Sequence, residues 1–368
     1  MLRYCIPRVH RRGHGLGNEL VPWARAFLAA QLLDARLLPP AFGLNRRGYW
    51  QHFRTSPDDW IYHRAMLRLL PVVEFTEADY LAHGGVSALT ALRSFIAAHK
   101  LQQRRLLVLA TEGMWGGYGH VQEAREFMRS TLYQSRYAAR NLLQLQARID
   151  PRKILVGMHV RLGDFVAPTS IGKYRRVANA SLPLDWFLNV AECLQSRFGD
   201  DWQLLLVSDG AQEPLQDLID RYPCIITGDM AHTDCSDALA LAGADLLVCS
   251  ASSYSSLAAF LSDSPYLWFA ESLHAHPEGC YSVHGRPPKD RPHHSPIPAA
   301  VQYFANRPAH SSARGAAVNA DGQIPAAVLE STLRRREWRR AEMDLVRGGV
   351  TPMTPSGEAP ARRRAPDA

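Results

Sequence analysis

A histidine, an arginine and an aspartate stand close together in His159-Val160-Arg161-Leu162-Gly163-Asp164, just after the apolar run Ile154-Leu155-Val156. The run reads as a buried strand. Polar groups at the carboxyl end of such a strand sit where open α/β sheets bind their ligands. Arg161 carries a planar fork suited to phosphate, and Gly163 lets the backbone come close to a ligand. The alternative is a strand end closed by an ordinary surface ion pair.

Four other stretches have the same form. Near the N-terminus, Gly13-His14-Gly15-Leu16-Gly17-Asn18-Glu19 follows a short first strand and precedes a helix read over 20–35, with Pro22 in its first turn. A glycine loop before a helix is suited to an anion or polar ligand. The glycine spacing departs from the dinucleotide fingerprint, and no Gly-Lys-Ser/Thr follows to make a P-loop. The strand 106–110 runs into Glu112-Gly113-Met114-Trp115-Gly116-Gly117. That loop either lines a cleft, offering Glu112 and Trp115 to a sugar, or simply connects. Trp50 has the same two readings, stacking on a sugar or packing under a loop. The strand 245–249 leads into Ser250-Ala251-Ser252-Ser253-Tyr254-Ser255-Ser256 and an apolar helix over 257–261. Serines at a helix start offer side-chain and backbone donors to phosphate; a plain N-cap with spare hydroxyls is the alternative. The strand 203–207 ends in Ser208-Asp209-Gly210, another polar tip.

These tips need a scaffold, and the spacing of strands and helices supplies one. Strands alternate with helices throughout, which specifies α/β folding around mostly parallel sheets. A chain of 368 residues suits two such domains. The boundary is expected near Asp150-Pro151-Arg152-Lys153, giving 1–150, 151–310 and a C-terminal helix with a basic, disordered tail over 311–368. A long helix is read over 121–148. No apolar run is long enough to span a bilayer, and the N-terminus lacks the pattern of a signal peptide. The six cysteines show neither a CxxC pair nor zinc spacing, so a reducing, cytoplasmic setting is expected. The net charge of +7 gathers in Arg334–Arg336, Arg339–Arg340 and Arg362–Arg364. Such a run is usually a solvated helix face, although it can also bind nucleic acid. Histidines scattered over 274–298 read as loop residues rather than metal ligands.

Taken in order, Gly15-Leu16-Gly17-Asn18-Glu19-Leu20, His159-x-Arg161-x-Gly163-Asp164 and Asp245 through Ser252-Ser253-Tyr254-Ser255 resemble the motifs of the fucosyltransferase superfamily. The pattern is nearest the α1,2 type, with α1,6- and protein O-fucosyltransferases as relatives. The resemblance spans residues 10–270, with three specific blocks. It implies a GT-B architecture, two Rossmann-like domains facing across a cleft. It also implies GDP-fucose as donor, a glycan or glycoconjugate as acceptor, and no metal ion or other cofactor. By position, Arg161 holds the β-phosphate and His159 shapes the nucleotide site. Asp209 and Asp237 lie near the guanosine, and Ser252, Ser253 and Ser255 meet the phosphates. The Gly15-Gly17-Asn18 loop reaches across from the other domain. Leu162 stands where the family has a second arginine, Glu19 where it has Gln, and Ser255-Ser256-Leu257 where it has Ser-Trp-Trp.

The chemistry that follows is metal-free departure of GDP. Charge developing on the β-phosphate must meet fixed donors, while a hydroxyl attacks the anomeric carbon from the opposite face. Arg161 is the expected charge stabiliser. Glu19 and Asp164 are the candidate bases for the hydroxyl proton, with Glu112 third. Glu112, Trp115 and Trp50 are the acceptor-side candidates. No nucleic-acid partner and no transmembrane segment are expected, but peripheral contact with membrane-linked acceptors is. Other readings are a catalytically silent GDP-sugar- or glycan-binding protein on the same scaffold, a transferase using another GDP-hexose, and a nucleic-acid-binding protein driven by the arginine clusters.

Overall fold

The structure, a computed structural model, describes residues 1–9, 14–42, 47–53, 57–83, 87–113, 115, 117–163, 181–272, 274–275, 281–282 and 314–347. The expected tail over 348–368 and most of the histidine-rich stretch lie outside the described residues.

Two parallel sheets organise the chain. The first joins β1 (Leu2–Pro7), β2 (Arg36–Leu37), β3 (Val72–Phe75) and β4 (Leu106–Thr111) in the order β2-β1-β4-β3. The second joins β5 (Ile154–Val160), β6 (Trp202–Ser208), β7 (Cys224–Ile226), β8 (Leu246–Cys249), β9 (Tyr266–Phe269) and β12 (Gly315–Val318) in the order β12-β9-β8-β5-β6-β7. Between β9 and β12 in sequence, β10 (His274–Ala275) and β11 (Tyr281–Ser282) form a small antiparallel pair.

All seven residues of β5 are buried, as expected of a parallel strand covered on both faces. The chain moves outward from β5 through β6 to β7, then returns to β8 on the other side of β5. That reversal is a topological switch point, where α/β sheets leave a crevice beyond the strand ends. The first sheet has an equivalent reversal between β1 and β4.

The helices are α1 (Leu16–Leu33), α2 (Trp50–Phe53), α3 (Pro57–Leu69), α4 (Glu77–Ala82), α5 (Ala88–Ala98), α6 (Arg125–Tyr133), α7 (Ala138–Arg148), α8 (Leu184–Phe198), α9 (Gln216–Arg221), α10 (Asp234–Ala242), α11 (Ser253–Leu261) and α12 (Ala326–Arg347). A core runs between the two sheets without a break. Leu16, Leu20 and Ala24 of α1 share it with Cys235 and Ala238 of α10 and with Leu257, Phe260 and Leu261 of α11. Tyr118 stacks on Phe260 across this layer, with ring centroids 5.1 Å apart, a contact worth about 1 kcal/mol beyond its buried area. Arg125 at the start of α6 reaches Asp263, just past α11, at 2.7 Å. The outer face of the second sheet packs Trp186, Phe187 and Val190 of α8 and Val328 and Leu329 of α12.

The single helix read over 121–148 is three pieces: a 3-10 turn at Tyr118–Ala124, then α6 and α7. The break has a cause. The Arg136 amide leaves the helical ladder to donate to the His52 carbonyl at 2.8 Å. Leu145 of α7 packs with Leu155, Leu205 and Leu241, against the second sheet. The helix expected over 20–35 begins four residues earlier, and the one expected over 257–261 begins at Ser253. Gly17, Asn18, Glu19, Ser253 and Ser255 therefore lie in helical first turns rather than loops.

Candidate functional site

At the tip of β5, His159 and Arg161 are held in place by the chain on both sides. The Arg161 amide donates to Ser250 Oγ at 2.9 Å, and that hydroxyl donates to the His159 carbonyl at 2.7 Å. Ser250 thus clips β5 to the start of the serine stretch. His159 is buried; its Nδ1 lies 2.7 Å from Ser255 Oγ, and its ring packs against Tyr254 at 5.1 Å. Burial lowers its pKa to about 4, with nearby Arg161 pushing the same way and Asp209 opposing. The imidazole is therefore neutral at physiological pH, an orienting hydrogen-bonding group rather than a second cation.

The Arg161 guanidinium pairs through Nη1 with Asp209 Oδ2 and is only 14 % exposed. Asp209 reaches it because β6 runs beside β5 in register, with Val160 opposite Ser208. The other carboxylate oxygen of Asp209 accepts from the amides of Leu162 at 3.0 Å and Gly163 at 3.1 Å. Any Cβ at Gly163 would overlap Asp209 Oδ2, and one at Gly210 would overlap Leu162. The two polar tips interlock, and both glycines are required by close approach. Asp209, which the resemblance places near the guanosine, is thus the partner of Arg161. Asp164 lies outside the described residues.

The serine helix start is more ordered than a row of spare donors. Ser252 is the N-cap of α11, its hydroxyl accepting from the Ser255 amide at 3.2 Å. The Ser255 hydroxyl accepts from the Ser250 amide at 3.0 Å and meets His159. The Ser256 hydroxyl donates to the Ser252 carbonyl at 3.2 Å. Ser253 is half-buried, and its amide belongs to the first turn, where a helix supplies no acceptor of its own. The side chains of Ser252 and Ser255 build the corner; the amide end of the helix is the part suited to an anion.

The first sheet brings its glycine motif to the same corner. Gly15 is the N-cap position of α1 and Gly17 lies in its first turn. Gly17 seats against the Ser253–Tyr254 peptide. The Leu16 amide donates to the Tyr49 hydroxyl at 2.8 Å. Burial and Asp234 push the Tyr49 phenol above its ordinary pKa, while Arg47 and Arg161 pull it down, so both guanidiniums lie within electrostatic reach of this tyrosine. His52 ties the halves together through Nε2, 3.0 Å from Asp234 Oδ2, and the Tyr254 hydroxyl donates to the Asp234 carbonyl.

Asp237 is one turn further along α10. It is buried and accepts from Thr227 Oγ1 at 3.2 Å. Burial raises its pKa to about 7; hydrogen bonds from Thr233 and Thr227 oppose the rise and Asp234 adds to it.

Beyond the carboxyl ends of β1 and β4 lies a cavity of about 900 Å³. Asn18, Glu19, Glu112 and Trp115 line it, together with Arg8 and His63. Glu19 is buried and accepts from the His14 amide at 3.1 Å. Glu112 is exposed, with Arg8 Nη1 at 3.7 Å. Trp50 is on α2, outside the cavity wall. Arg25, unremarked in the sequence, shapes this cavity. It is fully buried in α1, donates to the carbonyls of Glu112, Gly113 and Trp115, and lies 3.5 Å from the Trp115 ring centroid. Burial lowers its pKa to about 9 against the pull of Glu77, Tyr80 and Glu112. A charged residue inside an otherwise apolar helix was the signal available for it.

Asp245 opens the third motif but lies at the far end of the sheet. It is fully buried, receives Arg339 of α12 at 2.9 and 2.7 Å, and accepts from the Leu155 amide. Its place is structural. Among the described residues, no three His, Cys, Asp or Glu side chains are grouped to hold a metal ion.

No family model and no curated protein matches the chain. Among solved structures, it is similar to POFUT1 in complex with GDP-fucose, with 12 % identity and a TM-score of 0.40 over 71 % of this chain and 95 % of that one. The apo form of POFUT1 gives 11 % identity and a TM-score of 0.43 over 71 % and 95 %. NodZ α-1,6-fucosyltransferase soaked with GDP-fucose gives 14 % identity and a TM-score of 0.40 over 71 % and 93 %.

Proposed function

We propose that this chain is a glycosyltransferase that moves fucose from GDP-fucose to a hydroxyl of a glycan or glycoconjugate, in α1,2 or α1,6 linkage, with inversion and without a metal ion. The observation that carries the reading is the corner at the second switch point. There the Arg161 guanidinium pairs with Asp209 of the β6 tip, and its backbone amide is clipped to Ser250, three residues before α11 begins. A guanidinium has five donors; Asp209 engages one end of the fork and sets the plane of the rest. A fixed cation beside a helix N-terminus is what a departing diphosphate requires, since neither must reorganise as charge develops. His159, neutral and tied to Ser255, keeps the corner rigid. Asp237 is assigned to the guanosine on the strength of the motif resemblance.

The acceptor is assigned to the cavity beyond β1 and β4, with Trp115 as a stacking wall. Glu19 is the proposed base. It lines that cavity and sits two residues from Gly17, which touches the donor corner, whereas Glu112 is beside Arg8. If bond breaking runs far ahead of attack, the base matters less and the Arg161 corner carries most of the rate.

Thermal shift with nucleotide sugars tests the reading. GDP and GDP-fucose should raise the unfolding midpoint, with a stabilisation of about 2.7 kcal/mol at a hundredfold excess over Kd. UDP and dTDP sugars should leave it unmoved. A rise with UDP sugars and none with GDP would defeat the assignment.

A further inference from the structure

We propose that the outer face of α3, with the neighbouring ends of β1 and β4, docks on an anionic lipid surface. The first sheet is covered unevenly. Its inner face carries the large core shared with α1, α5 and α11, while its outer face has a small one, where Ile6, Leu38 and Val108 are buried with partly buried Met66, Leu67 and Leu70 of the α3 segment. Outside that thin layer, apolar side chains remain in solvent. Leu69 is 79 % exposed, Ile61 59 %, and Tyr62, Leu2 and Leu106 about half. They belong together. Leu2 and Leu106 are paired in register at the strand starts, and Tyr62 hydrogen-bonds Tyr4, two residues along β1 on the same face.

Cations rim this surface. Arg68 is exposed on α3, Arg36 on β2 lies beside Tyr62, and Lys100, Arg104 and Arg105 are exposed before β4. The stretches 60–71 and 99–107 contain no Asp or Glu. The nearest acids in sequence are Asp58 and Asp59 at the far end of α3, Asp34 at the end of α1, and Glu74 and Glu112, which both face Arg8. Single exposed leucines need no explanation, but an apolar set inside a basic rim marks an interaction surface. A second copy of the chain fits poorly, because a two-fold contact brings these arginines against themselves. Anionic headgroups answer the arginines while the leucines, isoleucine and tyrosine enter the headgroup boundary. The inference does not depend on the transfer reaction.

Co-sedimentation of the full chain with phosphatidylcholine vesicles, with and without phosphatidylserine, tests it. Binding should require phosphatidylserine and fall with salt. Arg68→Ala and Arg104→Ala should each weaken it about fivefold, and Leu69→Ser should weaken it too, with unfolding midpoints near that of the parent chain. Three results overturn the proposal: no binding to phosphatidylserine vesicles, binding that these variants leave unchanged, or a dimer in light scattering that Leu69→Glu dissociates.

Discussion

Gly17 of α1 lies so close to Ser253 of α11 that a Cβ built on it would stand 2.5 Å from the Ser253 carbonyl oxygen and 2.8 Å from the Tyr254 nitrogen. The glycine motif of the first sheet and the serine motif of the second are therefore in direct contact. Gly17→Ala should destabilise the fold by about 1–3 kcal/mol in urea unfolding, the usual cost of overpacking, and weaken GDP binding with it. Gly15 has open space around the same built atom and backbone angles that any residue adopts, so Gly15→Ala should be near neutral. Equal effects of the two substitutions would remove the contact from the argument.

The Arg339–Asp245 pair fastens α12 to the second sheet, with Asp245 fully buried. Removing one partner of a buried pair leaves the other charge stranded, at a cost of about 3–5 kcal/mol. Arg339→Ala should lose that much in chemical denaturation without changing the affinity for GDP in the remaining folded protein. A loss under 1 kcal/mol would mean that water replaces the arginine.

Two buried groups give opposing pH dependences. The carboxyl of Asp237 is raised to about 7. Between pH 4 and 7 the folded chain holds this proton and the unfolded chain does not, so stability falls as pH rises through that window. His159 is lowered to about 4. Between pH 4 and 6.5 the unfolded chain holds that proton and the folded chain does not, so stability rises with pH there. Each contributes a slope of about 1.4 kcal/mol per pH unit, and the two largely cancel below pH 6.5. Asp237→Asn should unmask the histidine slope, visible as stability rising from pH 4 to 6.5. An unchanged profile would show that Asp237 is ionised in the folded chain.

Glu19→Gln separates the proposed base from the proposed charge stabiliser. With Glu19 as base, turnover should fall by about 10²–10⁴ while donor affinity holds, whereas Glu112→Gln should change it little. The reverse order would move the base to Glu112.

Much of this was legible in the sequence. The buried strands β5, β6 and β8 announced themselves because parallel strands are apolar on both faces, and their polar tips stood out against them. The pairing of the tips did not. Asp209 meets Arg161 because β6 lies next to β5, a fact of strand order rather than sequence distance, and Asp245 finds Arg339 for the same kind of reason. Gly17 read as a loop residue, although it lies in the first turn of α1, and the helix expected from 257 begins at Ser253. The glycine is there for close approach, which mimics a loop signal, and Ser252 caps the helix as the plainer reading of the serines had it. Arg25 carried a signal, a charge among apolar helical neighbours, but its carbonyl partners lie about ninety residues away in the chain.

The most direct measurement is the turnover of GDP-fucose by Arg161→Lys beside the parent chain. Lysine keeps the charge but loses the fork that Asp209 orients and that the proposed reaction assigns to the diphosphate. The account predicts a fall of about a hundredfold or more, the scale of losing one fixed donor to a developing charge. Turnover within a few-fold of the parent would contradict it.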